Sequence, residues 1–253
     1  MIADQAIAVF TEDKRYLQQA VDLAADLVLP LVNKRPDEES LLLVVDRHGV
    51  SLVSTAMAHG PLRIDFSSPS LNYRRRFGGG RGQAIARAVG LKGGNTPRVL
   101  DATAGLGRDS FVLASLGCTV IMIERSTIMA ALLADGLSRG QRDSDIAAVI
   151  DRMSLRVANA VGWINADENI DFDVIYIDPM FPPRTKSALV KGDMQLLHKL
   201  LGVDEDIELL LSTALQSNAS RVVVKRPKKF GNVVGLKPSF VLQGRSSRFD
   251  VYL

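Results

Sequence analysis

With 253 residues, 47% of them hydrophobic and 23% charged, the chain is long enough to bury a substantial core and is balanced like a folded globular protein. Its longest apolar runs, such as Leu41–Val45, Val120–Ile123 and Val222–Val224, fall short of the roughly 20 residues of a membrane span. Asp4 and the Glu12-Asp13 pair break any signal-type stretch, and a single cysteine excludes an internal disulfide, so a cytoplasmic protein without a membrane partner is expected. The net charge is +3, yet residues 1–70 hold six basic against ten acidic side chains, which leaves the positive excess to the rest of the chain. Such a distribution suits either a polyanionic partner or a generic basic surface.

In chain order, residues 2–10 read as a strand, and Lys14–Val28 as a helix because Leu17, Val21, Ala24, Ala25 and Val28 recur at helical spacing. Leu41–Asp46 and Val50–Val53 read as a hairpin around His48-Gly49. Residues 1–70 are therefore expected to form a small α+β subdomain. Residues 71–97 hold a basic, Gly-rich flexible loop over 73–82 and a helix over Gln83–Val89. From residue 98 to 253 strands alternate with helices. Strands are expected at Arg98–Ala102, Thr119–Ile123, Leu155–Ala158, Phe172–Ile177 and Arg221–Val224. Helices fall at about Arg108–Leu116, Ile128–Leu137, Met194–Leu201 and Ile207–Leu215, and Ser239–Leu242 with Arg248–Tyr252 close the chain as an antiparallel pair. This is the pattern of a Rossmann-like α/β domain with a mainly parallel sheet, whose ligands bind at the carboxyl ends of the strands.

The first of those ends reads Asp101-Ala-Thr-Ala-Gly105-Leu-Gly107. Gly105 and Gly107 permit a tight turn and close approach to a ligand. The carboxylate of Asp101 would repel a pyrophosphate but not a sulfonium and an ammonium, which favours S-adenosylmethionine (SAM) over a dinucleotide. Glu124, ending the second strand, suits both ribose hydroxyls. Arg108 opposes the helix dipole and so is a candidate for the cofactor carboxylate, Asp109 suits a helix start, and Arg125 is a candidate neighbour of the adenine. The fourth strand ends in Asp178-Pro179-Met180-Phe181, which resembles the D/N-P-P-Y/F motif of amino-group methyltransferases, with Met180 where a second proline commonly stands. An exocyclic amine is a poor nucleophile because its lone pair is delocalised. Asp178 could accept one N–H, a carbonyl near Pro179 the other, and Phe181 could stack on the base. Positioning of the two reactants would then supply much of the rate.

Four segments, Arg74–Gly82, Asp101–Asp109, Asp178–Pro182 with Lys186–Lys191, and Val222–Pro227, together resemble the ribosomal RNA small subunit methyltransferase J family, bacterial enzymes that methylate guanine N2 in 16S rRNA. The resemblance covers residues from about 60 to the end. It implies SAM as cofactor, 16S rRNA or the small ribosomal subunit as partner, and cofactor contacts at Arg108, Asp109, Glu124, Arg125, Asn159, Ala160 and Asp178. Under this reading Arg74, Arg75, Arg76, Arg81, Lys186, Lys191, Lys225 and Arg226, with Lys228 and Lys229, are expected to meet RNA phosphates.

The alternatives are methylation of a DNA adenine or a protein glutamine, a non-catalytic rRNA-binding assembly factor, and a dinucleotide oxidoreductase, the last disfavoured by Asp101. His48, His59 and His198 lack metal-ligand spacing, so no metal is expected. Cys118 and Trp163 read as core residues.

Overall fold

A computed structural model describes residues 7–36, 38–56, 60–166, 172–180, 192–202, 206–228, 236–244 and 247–253. In chain order the elements are β1 (Ile7–Phe10), α1 (Leu17–Leu27), β2 (Leu31–Val32), β3 (Leu41–Asp46), β4 (Gly49–Ser54), α2 (Pro69–Phe77), α3 (Ala84–Ala88), β5 (Arg98–Asp101), α4 (Arg108–Ser115) and β6 (Thr119–Glu124). They continue with α5 (Thr127–Gln141), α6 (Ala147–Ile150), β7 (Met153–Val157), α7 (Ala160–Ala166), β8 (Val174–Ile177), α8 (Gly192–Leu201), α9 (Ile207–Gln216), β9 (Arg221–Pro227), β10 (Phe240–Gln243) and β11 (Ser247–Tyr252). Among the described residues no helix is long and apolar enough to cross a membrane.

The chain divides into two units. One comprises residues 1–65, 126–139 and 182–203; the other comprises 66–125, 140–181 and 204–253. The first holds a four-stranded sheet in the order β2-β1-β3-β4, parallel except for the β3–β4 hairpin. Alternate residues of β1 and β3, namely Ala8, Phe10, Leu42 and Val44, share one buried face, as the period of two in a strand requires.

The second unit is built on a seven-stranded sheet ordered β10-β11-β9-β8-β5-β6-β7. β9, β8, β5, β6 and β7 run parallel, and β11 and β10 close the sheet antiparallel. Leu100, Ile175, Ile177, Val222 and Val224 form a core with Ala160 of α7 and Leu210, Leu211 and Ala214 of α9. Each such leucine, isoleucine or valine side chain contributes about 1.5–3 kcal/mol over its exposed state. The β5-α4-β6 and β8-α9-β9 crossovers run in opposite directions along the sheet. Right-handed connections therefore put α4 and α9 on opposite faces. The order reverses between β5 and β8, and the crevice at a reversal is where this class of sheet binds ligands.

Three expectations need correction. Arg74–Arg76 stand in the last turn of a helix and not in a flexible loop. Pro69 opens that helix at its first turn, the arginines are good helix formers, and cations at a helix C-terminus oppose its negative end. The strand expected to end at Val224 continues to Pro227, because β11 pairs with it as far as Ser247. The helix α7, which begins at Ala160, has no counterpart among the expected elements. Residues 2–6 of the expected first strand lie outside the described residues.

Candidate functional site at the carboxyl edge of the parallel sheet

β5 ends at Asp101, and the chain then turns through Gly105 and Gly107 into α4. Both glycines have positive φ, 52° and 66°, which side-chain-bearing residues rarely adopt. A Cβ at Gly105 would meet only the Thr103 carbonyl oxygen, at 3.9 Å, so the turn borders open space. Two acids hold the turn from below. Asp101, 2% exposed, accepts from the Ser110 hydroxyl at 2.5 Å and from the Thr103 amide at 3.2 Å. Burial pushes its carboxyl up to about 7 against these two hydrogen bonds. The buried Glu124 carboxylate accepts from the Gly105 amide at 3.0 Å. Thr103 joins the two central strands: its hydroxyl accepts from the Asp178 amide at 2.7 Å.

Asp178 follows β8 directly and stands level with Lys225, since Ile177 pairs with Val224. Lys225 Nζ donates to Asp178 Oδ2 and to Asp109 Oδ2, both at 2.7 Å. Asp109 also accepts from Arg74 Nη1 at 2.9 Å and from the Tyr176 hydroxyl at 2.7 Å. Burial opposes the charge of Asp109, but Lys225 and Arg74 outweigh it and hold the carboxyl at about 2. Burial likewise opposes the charge of Lys225, yet Asp178 and Asp109 raise its pKa above the ordinary lysine value. Burial, and then Asp109, keep the Tyr176 hydroxyl protonated. The result is a continuous line of charge-assisted hydrogen bonds, Arg74–Asp109–Lys225–Asp178, along the sheet edge.

This edge brings together Asp101, Gly105, Gly107, Asp109, Glu124 and Asp178. Arg125, after β6, pairs with Asp206 at 3.1 Å. Asn159 follows β7 and accepts from the Gly162 amide at 3.2 Å, so its side chain caps α7, while Ala160 is buried in the core. Arg108 is exposed at the start of α4, and Pro179, the residue after Asp178, is buried. Phe181, Lys186, Lys191, Lys229, His59 and the side chain of His198 lie outside the described residues.

Asp101 is held beneath the turn, one oxygen accepting from Ser110 and the other from Thr103. One expected role is overturned. Arg226 does not face solvent: it is 1% exposed and ion-paired with the fully buried Asp250, because its position in β9 turns it inward. Arg75 donates to the Asp145 carbonyl at 2.6 Å, and the exposed Arg81 to the Asn95 carbonyl at 3.4 Å. Thr103, Ser110 and Tyr176 are site residues that the sequence does not single out. Hydroxyls carry no spacing signal, and only the strand register brings Tyr176 level with Asp101. Cys118 is buried and its thiol is pushed up to about 11 by that burial, as befits a core residue. Trp163 packs at the edge of the core and stacks with Phe172 at 6.5 Å.

A family model described as "Putative SAM-dependent methyltransferase" matches residues 23–253. The ribosomal RNA small subunit methyltransferase J of Thioalkalivibrio sulfidiphilus is 47% identical over 254 residues, covering 100% of this chain and 99% of the relative. The chain belongs to the ribosomal RNA small subunit methyltransferase J family. Its relative in that family from Stutzerimonas stutzeri is 51% identical over 216 residues, 85% of this chain and 84% of the relative. A SAM-dependent methyltransferase from Neisseria gonorrhoeae, solved by crystallography, superposes with a TM-score of 0.77 at 35% identity, over 97% of this chain and 95% of that one. As a member of the ribosomal RNA small subunit methyltransferase J family, the chain is a SAM-dependent enzyme. The open turn at Gly105 and the acid at the end of β6 fit that cofactor.

Proposed function

We propose that the chain transfers a methyl group from SAM to the exocyclic N2 of a guanine in 16S rRNA. The observation that carries this reading is Asp178, placed at the end of β8 beside the reversal of strand order and held from two sides, by Thr103 through its amide and by Lys225 through its carboxylate. The names of the relatives, ribosomal RNA small subunit methyltransferases, support the RNA substrate.

When bound, SAM supplies an electrophilic methyl group. The Gly105–Gly107 turn and Glu124 would hold it, the acid suiting the ribose hydroxyls, with Arg108, Arg125 and Asn159 as further contacts. Asp178 accepts an N–H of the amino group and draws the nitrogen lone pair out of conjugation, while the Pro179 carbonyl takes the second N–H. Lys225 remains cationic and fixes the orientation of Asp178, so the acceptor need not reorganise as the nitrogen attacks; the N–C bond forms as the sulfur–methyl bond breaks, and the methylated nitrogen then loses one proton to solvent. Phe181 supplies the aromatic of the motif for stacking. Arg75, Arg76 and Arg81, with Lys186 and Lys191, take the phosphates. Arg74 and Lys225 act within the charged line instead.

The test is transfer of labelled methyl from SAM to 16S rRNA, assembled small subunits, DNA and total protein in parallel, with the product nucleoside identified by mass spectrometry. N2-methylguanosine in small-subunit RNA is expected. Label in DNA or protein would overturn the substrate, and cofactor binding without any transfer would leave a non-catalytic RNA-binding factor.

A further inference from the structure

Helix α2 is anchored on one side and open on the other. Leu71 is buried, and Arg74 is tied to Asp109 at 2.9 Å. Tyr73 and Phe77 stand one turn apart on another face, with ring centroids 5.3 Å apart at 41°, and they are 67% and 69% exposed. Scattered single exposed apolar residues need no explanation, but two adjoining exposed aromatic rings do. Pairing at this spacing adds little to a helix already started by Pro69 and anchored by Leu71 and Arg74. Arg76, exposed on the same helix with its guanidinium 3.7 Å from the Asp145 carboxylate, and the exposed Arg81 on the turn that follows bring cationic side chains to the same segment. Through Arg74, the helix joins the hydrogen-bonded line that runs by Asp109 and Lys225 to Asp178.

We propose that Tyr73 and Phe77 form a stacking platform for unpaired RNA bases next to the reactive edge, with Arg76 and Arg81 meeting the adjoining phosphates. The inference rests on RNA being the substrate. Methylation of an exocyclic amine requires the base to leave its stack, which also deprives its neighbours of stacking partners. Aromatic side chains replace those partners whatever the base, because every base has a π-face, and the arginines add charge complementarity to the strand.

The experiment compares wild type with Tyr73→Ala/Phe77→Ala, Tyr73→Leu/Phe77→Leu and Tyr73→Trp/Phe77→Trp. Affinity is measured for a short single-stranded purine-rich RNA and for the same strand annealed as a duplex, together with SAM affinity, thermal midpoint and methyl transfer to small-subunit RNA. Loss of two stacked bases is expected to weaken single-strand binding by roughly thirtyfold or more in the Ala and Leu variants. The Trp variant should bind like wild type, with duplex affinity, SAM affinity and thermal midpoint unchanged in all three. The dependence of binding on salt should also stay the same, since stacking releases no counterions. Unchanged single-strand affinity in the Ala and Leu variants while wild type methylates RNA overturns the platform and leaves the substrate reading intact. Aromatic-dependent binding without any RNA methylation supports the platform and removes the substrate reading. Disruption of a dimer by the Ala variant with RNA affinity intact overturns the platform in favour of a contact between copies of this chain.

Discussion

Asp101 and Asp109 lie on one turn and the helix it leads into, and their carboxyls are pushed in opposite directions. For Asp101 burial dominates and the pKa rises to about 7. The folded state then keeps a proton that the unfolded chain releases near the ordinary value of 3.8, so this residue's contribution to stability falls as pH rises from about 4 to about 7. Asp101→Asn should remove that fall: urea unfolding of the variant and wild type should diverge in favour of the variant as pH increases through this window. For Asp109 the neighbouring Lys225 and Arg74 outweigh burial and the pKa drops to about 2, so its contribution is present above about 4 and is lost as pH falls toward 2. Lys225→Met should raise the pH at which acid unfolding begins. It should also lower kcat for methyl transfer by about tenfold to a hundredfold, as expected when a catalytic group loses its support, with SAM affinity little changed. Asp178→Ala should cost more, about 10²–10⁴-fold in single-turnover transfer, while leaving the thermal midpoint near that of wild type.

At the scale of elements, β9 and α2 show where charge misleads a reading of sequence. Lys225 and Arg226 look like the start of a basic loop, yet the strand carries them onward because β11 supplies partners for both. Arg226 is compensated by Asp250, which also accepts from Arg248 at 2.8 Å. Asp250→Ala would leave a buried guanidinium without its counter-charge and should cost about 3–5 kcal/mol in denaturant unfolding. In α2, three consecutive arginines and the glycines after them suggest mobility. The helix forms because Pro69 starts it and Arg74 finds Asp109, a partner 35 residues away in sequence.

For the whole molecule, the positive excess of the chain after residue 70, against the acidic balance of residues 1–70, should draw RNA to the part of the chain that carries the reactive edge. Binding should weaken with salt. Replacing Arg75, Arg76 and Arg81 by Ala should lower the slope of log K against log salt by roughly 0.7 for each single-strand phosphate that the protein then leaves unneutralised. Arg226→Met should leave the slope unchanged, since that side chain is buried. Fluorescence titration at several ionic strengths distinguishes the two.

By itself the sequence determined the alternation of strands and helices, the glycine turn after Asp101 and the acids that close β6 and β8. Each of these is a local pattern of hydrophobic period, backbone freedom or residue type at a strand end. The tertiary structure alone decided what the charges do. It turned Asp101 inward to Ser110, set Lys225 between Asp109 and Asp178, buried Arg226 against Asp250 and left Tyr73 and Phe77 in solvent. Charge pairing depends on which strands become neighbours and in what register. Those partners are distant in the chain, so no local spacing announces them.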